Sequence, residues 1–252
     1  MSADDPKWIE PFTGLSPAQF DRLVALVRHR GGDIQRGRPW RLPLEDRVLL
    51  VATYWRTNLT LRQVAPLFGI SKSAADRILD DLAPLLAISP ARRKCEDTVY
   101  FVDGTLVPTR DRRIAASSKN YRYSTNLQVV IDANSRLVVA VGEPLPGSRN
   151  DCRAFTQSGV DFACRGVPVI ADGGYQGTDL LIPHRRRRGQ KALSPQQEAE
   201  NKVHRKARAR VEHALSRLKN CKILRDCRLK GAGVHQAMLG IARLHNLALT
   251  SR

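Results

Sequence analysis

Residues 98–105 read TVYFVDGT, and the character of the chain changes there. Ahead of this stretch apolar residues recur at helical spacing; from it onward they alternate with period two. The pattern predicts a strand over 98–103 that runs out at Asp103, with Gly104 and Thr105 directly after it. An acid at the end of a strand in an α/β sheet lies in the usual position for a site. Residues 127–132 (LQVVID) and 136–142 (RLVVAVG) predict two more strands, joined by a turn in which Asp132 and Asn134 supply the turn chemistry. Residues 167–172 (VPVIAD) and 180–183 predict a fourth and a fifth, and helices are expected over 195–218 and 232–248. Three meander strands followed by strands alternating with helices specify an α/β protein with a mixed sheet flanked by helices.

The first 90 residues read as helices. Ser16 can cap a helix that starts at Pro17, with Phe20, Leu23, Val24 and Val27 on its apolar side. A polar, Gly-rich stretch over 30–40 leads to a second helix at about residue 44, and Trp40, Tyr54 and Trp55 read as core. Residues 60–82 (TLRQVAPLFGISKSAADRILDDL) have the layout of a helix-turn-helix. Val64, Leu67, Ile70, Ala74 and Ile78 would form its core, Gly69 its turn and Ser71 the cap of its second helix. Lys72, Ser73 and Arg77 would then reach a major groove or its phosphates. The plainer alternative is a helical hairpin, with Asp76, Asp80 and Asp81 repelling DNA along part of the second helix. The expected division is a helical domain over 1–90 and a sheet domain over 91–252.

With 42 Lys and Arg against 24 Asp and Glu, the 252-residue chain carries a formal charge of +18, which makes a polyanion its default partner. Residues 185–230 hold 16 basic and 4 acidic residues, so two thirds of the excess sits in one segment and should form one face. Arg185, Arg186, Arg187, Arg188 and Lys191 open that segment. The five cysteines include no CxxC pair, which argues against a zinc knuckle or a disulfide framework. No apolar run approaches a membrane span, and a cytoplasmic protein associated with DNA is expected.

Three acids stand out against the basic background. Asp103 and Asp172 each close a predicted strand, and Asp172 is followed by Gly173, Gly174 and Tyr175. Glu212 interrupts the basic helix NKVHRKARARVEHALSRLKNCK, where Asn201, Arg205, Arg208 and Glu212 fall on one stripe. Converging, the three carboxylates would bind two divalent cations, because hard ions favour oxygen ligands. Two such ions suit in-line displacement at a phosphodiester, with the arginines on the backbone. The blander readings are turn aspartates and an i,i+4 pair of Arg208 with Glu212.

The ordered motifs VDGTLVPTRD, NLQVVID, LPGSRND and VIADGGYQG, with the block over 201–219, resemble those of the DDE transposases of the IS5 type, in the branch related to the Harbinger nucleases. The resemblance spans residues 42–247. It implies a ribonuclease H-like catalytic domain preceded by a helix-turn-helix, with Asp103, Asp172 and Glu212 as catalytic and metal-binding acids. It also implies Mg²⁺-dependent cleavage and strand transfer at terminal inverted repeats, acting on double-stranded target DNA. Members often carry His-Asp where this chain has Asn150-Asp151, and Asp151 and Asn201 are read as accessory residues. Pairing two DNA ends implies a homodimer or a DNA-assembled oligomer. Two alternatives stay open at this stage: a host-adapted or inactive nuclease of the same fold, and a helix-turn-helix transcription regulator.

Overall fold

The computed structural model describes residues 1–34, 37, 39–89 and 98–250. In chain order the helices α1 (Ile9–Thr13), α2 (Pro17–Val27), α3 (Leu44–Thr57), α4 (Leu61–Leu67) and α5 (Lys72–Leu86) come first. The strands β1 (Tyr100–Pro108), β2 (Ser124–Asp132), β3 (Val138–Val141) and β4 (Leu145–Pro146) follow, then α6 (Asp151–Gln157), α7 (Val160–Cys164), β5 (Val169–Ile170), α8 (Pro195–Leu218) and α9 (Gly233–Leu249). Two compact units result: residues 1–88 with 218–252, and residues 89–217. The boundary expected near Pro90 lies outside the described residues. Residues 218–252, expected with the sheet, pack instead with the helices.

In the helical unit α2 starts as its sequence predicts: Ser16 Oγ accepts from the Gln19 N–H, and the Gln19 side chain accepts from the Ser16 N–H in return. Helix α3 is buried nearly all round, with Val48, Leu49, Leu50, Val51 and Trp55 all fully enclosed. That burial requires neighbours on every side, and α9 supplies one of them. A Cβ placed on Gly240 would stand 2.2 Å from Trp55 Cη2, so the glycine is what lets α9 close on the indole. Further ties join α9 to the N-terminal helices. Ile88 N–H donates to Leu239 O, Gln19 Nε2 donates to Leu247 O, and the Arg243 guanidinium donates to Leu86 O and Ala87 O. Arg30 Nη1 donates to Leu85 O and Ala87 O, so two cations meet the carbonyls left open at the C-terminus of α5. Burial, with the like charge of Arg30, pulls the Arg243 pKa down to about 10.

Gly240→Ala will therefore lower the melting temperature, at a cost of about 1–3 kcal/mol for overpacking. In an uncrowded helix the same change would stabilise by about 0.8–1.0 kcal/mol. The sign of the shift in a circular-dichroism melt decides between packing and propensity, and a raised melting temperature would refute the close approach.

Helices α4 and α5 make the helix-turn-helix. Gly69 turns the chain at φ 64°, and Ser71 Oγ accepts from the Ala74 N–H. The core of the motif is offset from the sequence expectation: Val64, Ala75, Ile78, Leu79 and Leu82 are buried, whereas Leu67 is 40% exposed and Ala74 half-buried. The stripe on α5 runs through positions 75, 78, 79 and 82, an i, i+3, i+4, i+7 set that leaves Ala74 at its margin. Trp40 is half-buried rather than core, and the guanidinium groups of Arg47 and Arg77 lie 5.7 and 5.4 Å from its ring centroid.

The sheet unit has the strand order β3-β2-β1-β5, with β4 also on β2. Strands β1, β2 and β3 form an antiparallel meander, and the chain then crosses through α6 and α7 to lay β5 parallel to β1. This mixed sheet flanked by helices, behind a helical helix-turn-helix region, is the ribonuclease H-like architecture expected. Tyr100, Val102, Val130, Phe155, Val160, Val169 and Tyr175 pack into one core between the sheet and the short helices. Two strand ends differ from the reading. Strand β1 pairs with β2 through Pro108, because Thr105, Leu106 and Val107 are good strand formers. Strand β5 is confined to Val169 and Ile170: Pro168 has no N–H to give, and the 180–183 strand reduces to a bridge between Leu181 and Ile170.

Candidate active site

Asp103 lies inside β1, opposite Val129, and not at a strand end. What ends beside it is β5. Tyr100 pairs with Val169 and Phe101 with Ile170, so the same parallel offset continued by two residues sets Asp103 level with Asp172. Asp172 starts the turn that breaks β5: its Oδ1 accepts the Gly174 N–H at 2.7 Å. Two acids thus arrive at one height, the first inside β1 and fixed by its long ladder with β2, the second just past the end of β5 and fixed by its turn.

Asp151, at the first position of α6, joins them. Its Oδ1 accepts from Asn126 Nδ2 at 2.9 Å and from Gln128 Nε2 at 3.0 Å. The Gln128 amide also donates to Asn126 Oδ1 at 2.9 Å, and its Oε1 accepts the Tyr175 hydroxyl at 2.5 Å. The remaining Asn126 N–H goes to Arg149 O at 3.1 Å. Tyr175, Gln128 and Asn126 are all buried, so the ladder is shielded from water along its length. Gly104 makes room for it: a Cβ there would lie 2.1 Å from Asp151 Oδ1 and 2.7 Å from Gln128 Nε2. The Asp151 Oδ2 is turned to the other side, 3.6 Å from where a Cβ on Gly174 would stand, against 2.8 Å for Asp172 Oδ1.

Arg208, on α8, faces Asp103 at 3.6 Å, Nη2 to Oδ2. The balance at Asp103 is still unfavourable to its charge. Burial first, and then the carboxylates of Asp172 and Asp151, push its pKa up to about 6 against the pull of Arg208. Burial and the same three carboxylates raise the Tyr175 phenol far above its ordinary value, which keeps it a hydrogen-bond donor. Arg185 adds a second cation: its guanidinium lies where a Cβ on Gly173 would be, with Nη2 at 2.7 Å from that point.

The other expected residues are distributed more widely. Glu212 is exposed on α8, one turn beyond Arg208. Among the described residues no three His, Cys, Asp or Glu side chains close into a metal-ligand set. Asp103, Asp151 and Asp172 therefore sense one another's charge without being drawn to ligand spacing. Asn201 is buried and spends its amide on the backbone of His184, accepting from its N–H at 2.8 Å and donating to its O at 3.0 Å. That ties α8 to the chain after β5, a positioning job. Arg187, Arg188, Lys191 and Arg205 are exposed, and Arg186 Nη1 donates to Lys191 O within the same exposed loop. On α5, Lys72, Ser73 and Arg77 are exposed, with Lys72 3.6 Å from Asp76. The amide pair Asn126 and Gln128 was passed over in the sequence; its signal was two amides two residues apart in an otherwise apolar strand.

A family model described as Transposase DDE domain matches residues 94–247, and one described as Helix-turn-helix of DDE superfamily endonuclease matches residues 40–91. The chain belongs to the DDE transposases. It is 65% identical over 251 residues to the transposase assigned to insertion sequence element IS112 of Streptomyces albus G, covering 99% of this chain and 98% of that one. A second relative, assigned to element IS702 of Microchaete diplosiphon, is 28% identical over 234 residues, 84% of this chain and 83% of its own. The cryo-EM structure of a piggyBac transposase synaptic complex with hairpin DNA aligns with a TM-score of 0.49 at 11% identity, over 98% of this chain and 75% of that one, too slight a likeness to bear on chemistry. DDE transposases typically use divalent metals. The donors of this DDE domain suit such ions: hard carboxylate oxygens, one of them on Asp103, whose charge is disfavoured by burial and by the carboxylates of Asp172 and Asp151 despite Arg208. No helix among the described residues is long and apolar enough to cross a membrane.

Proposed function

We propose that this DDE transposase serves an insertion element of the IS5 type, binding the element's terminal inverted repeats and carrying out divalent-metal-dependent cleavage and transfer of DNA strands. The observation that carries this reading is the parallel register of β1 and β5, which, carried two residues past the end of β5, sets Asp103 level with Asp172, with Asp103 held at a raised pKa beside Arg208. In this reading Asp103, Asp172 and Glu212 hold Mg²⁺, or Mn²⁺ in its place, as two ions. Bound there, the ions supply charge neutralisation for a phosphodiester that carboxylates alone would repel. Arg208 and Arg185 bind and orient the scissile strand's phosphates, and Arg205, Arg186, Arg187, Arg188 and Lys191 hold the flanking backbone. Lys72, Ser73 and Arg77 on α5 contact the repeat, and Asn201 keeps α8 in place. The helical unit, residues 1–88 with 218–252, carries recognition and the sheet unit, residues 89–217, carries catalysis, acting near the nucleoid on element ends and target DNA as a dimer or a DNA-assembled oligomer.

The test is an end-cleavage and strand-joining assay with purified protein, Mg²⁺ and a duplex carrying the inverted repeat. Wild type is expected to nick at the repeat boundary and join the ends to target, and Glu212→Gln is expected to remove both activities. Cutting without joining would reduce the function to that of a nuclease. Full activity in Glu212→Gln would take that acid out of the site.

A further inference from the structure

The +18 charge is not all spent on the sheet unit. In the helical unit an open pocket of about 420 Å³ is lined by Arg56, Lys222 and Arg225, with Phe12, Thr57 and Asn220. Its described lining contains no carboxylate. It brings together residues far apart in sequence: Arg56 and Thr57 end α3, whereas 220–225 follow α8. The two segments are tied by Asn58 Nδ2, which donates to Asp226 O at 2.9 Å. Asp226, the nearest acid in sequence, is 3.9 Å from Arg228, a cation outside the pocket.

The three cations are held in different ways. Arg56 is half-buried beside Cys221, whose thiol pKa it pulls down against the larger effect of burial. Arg225 is exposed and is anchored through its Nε, which donates to Lys219 O at 2.7 Å. Lys222 is exposed. Thr57 Oγ1 is committed to Thr53 O, so cations and the Asn220 amide are the donors on offer. Three like charges gathered round one opening repel one another until an anion enters, and a guanidinium pair with an ammonium suits phosphate oxygens.

The geometry points to this pocket as a binding site for a backbone phosphate of duplex DNA, separate from the recognition residues on α5. Chain position supports DNA over a small phosphate ester: Arg56 precedes the start of α4 by five residues, and the first helix of a helix-turn-helix crosses the DNA backbone. The pocket would grip the strand at the edge of the groove that α5 enters. It also gives residues 220–225 a task in DNA binding, beside the unit that reads the repeat. The inference rests on the proposed function, since it requires that the helical unit meets duplex DNA.

The experiment uses full-length protein and fluorescence anisotropy on two duplexes, one with the inverted repeat and one of unrelated sequence, across a series of salt concentrations. Lys222→Gln and Arg225→Gln are combined, with Lys119→Gln as an exposed charge control in the sheet unit, and melting temperatures verify folding. The double variant is expected to bind both duplexes about tenfold more weakly, keep the wild-type preference between them, and lose about 1–2 from the slope of log affinity against log salt, near 0.9 per phosphate contact. Unchanged affinity and slope would overturn the inference. So would a melting temperature raised by inorganic phosphate in wild type alone with DNA binding equal in both proteins, which would mark a site for free phosphate. Wild type that binds neither duplex would defeat the proposed function, and the pocket with it; wild type that binds the repeat while the double variant matches it defeats the pocket alone.

Discussion

Asp103→Asn will abolish most metal-dependent cleavage, by about 10²–10³-fold or more, and will at the same time make the metal-free protein more stable. The two effects share one cause. Asp103 is half-buried, and its burial first, then the carboxylates of Asp172 and Asp151, hold its pKa at about 6 against an ordinary 3.8. Below the ordinary value the carboxyl is protonated in both folded and unfolded chains, and no penalty exists. As pH rises through the interval between the two values the unfolded chain ionises first, so the folded state loses stability, and the loss is complete above about pH 6. A shift of this size corresponds to about 3 kcal/mol at 1.36 kcal/mol per unit, and about 1–2 kcal/mol is expected once the stranded Arg208 is counted. Its contact at 3.6 Å is loose enough that losing it takes back only part of the gain. Thermal melts from pH 4 to 8 in chelator should show wild type falling below Asp103→Asn as pH increases, and Mg²⁺ should close the gap by stabilising wild type alone. A variant less stable than wild type at every pH would mean that Asp103 is a structural ion-pair partner of Arg208. Asp172→Asn should match the loss of activity, and its side-chain carbonyl can still accept the Gly174 N–H that closes the turn.

Much of this site was legible in the residues because the signals were local. Strand periodicity up to Asp103, the glycines after Asp172 and the basic run of α8 each announce themselves within a few positions, and α8 runs over Pro195–Leu218 as the sequence predicts. The errors came where a local signal had a non-local cause. Gly104 looked like punctuation that stops a strand; it sits inside β1 because Asp151 and Gln128, brought in from elsewhere in the chain, need the space of its missing Cβ. Gly240 in an apolar helix carries no mark of its own either, yet its contact with Trp55 helps seat α9 in the helical unit. Leu67 and Ala74 fall on the inner side when one pair of helices is taken by itself, whereas α3 and α9 decide which side of α5 is covered. Glu212 is the complementary case. The sequence singles it out, and the fold leaves it exposed one turn past Arg208, so its part in the reaction has to be tested by assay.

Asp151→Asn is expected to lower cleavage by about 10–100-fold, the range typical of groups that orient a metal site. The carboxylate is built into a ladder whose hydrogen bonds run in one direction. Arg149 O can only accept, which turns the Asn126 NH₂ toward it and toward Asp151 Oδ1; Asn126 Oδ1 then accepts the Gln128 NH₂, which also reaches Asp151 Oδ1, and Gln128 Oε1 is left to accept the Tyr175 hydroxyl. Position 151 must therefore present an acceptor on this side. Asparagine can do so through its carbonyl, and folding should survive, but its NH₂ then takes the place of Oδ2 on the side of Asp172. One of three mutually repelling negative charges is replaced by a donor. Asp103 should become easier to ionise, since Asp151 is among the groups that raise its pKa, and the acid limb of the pH–rate profile should move to lower pH while the plateau falls. Tyr175→Phe separates this role from scaffolding. It strands the buried Gln128 Oε1 at a cost of about 1–3 kcal/mol in stability, while the Asp151 charge stays in place, so the melting temperature drops and the pH profile keeps its midpoint. If Asp151→Asn cleaves at the wild-type rate with an unshifted profile, the ladder serves only to join α6 to the sheet, and Asp103 and Asp172 work without a third aspartate.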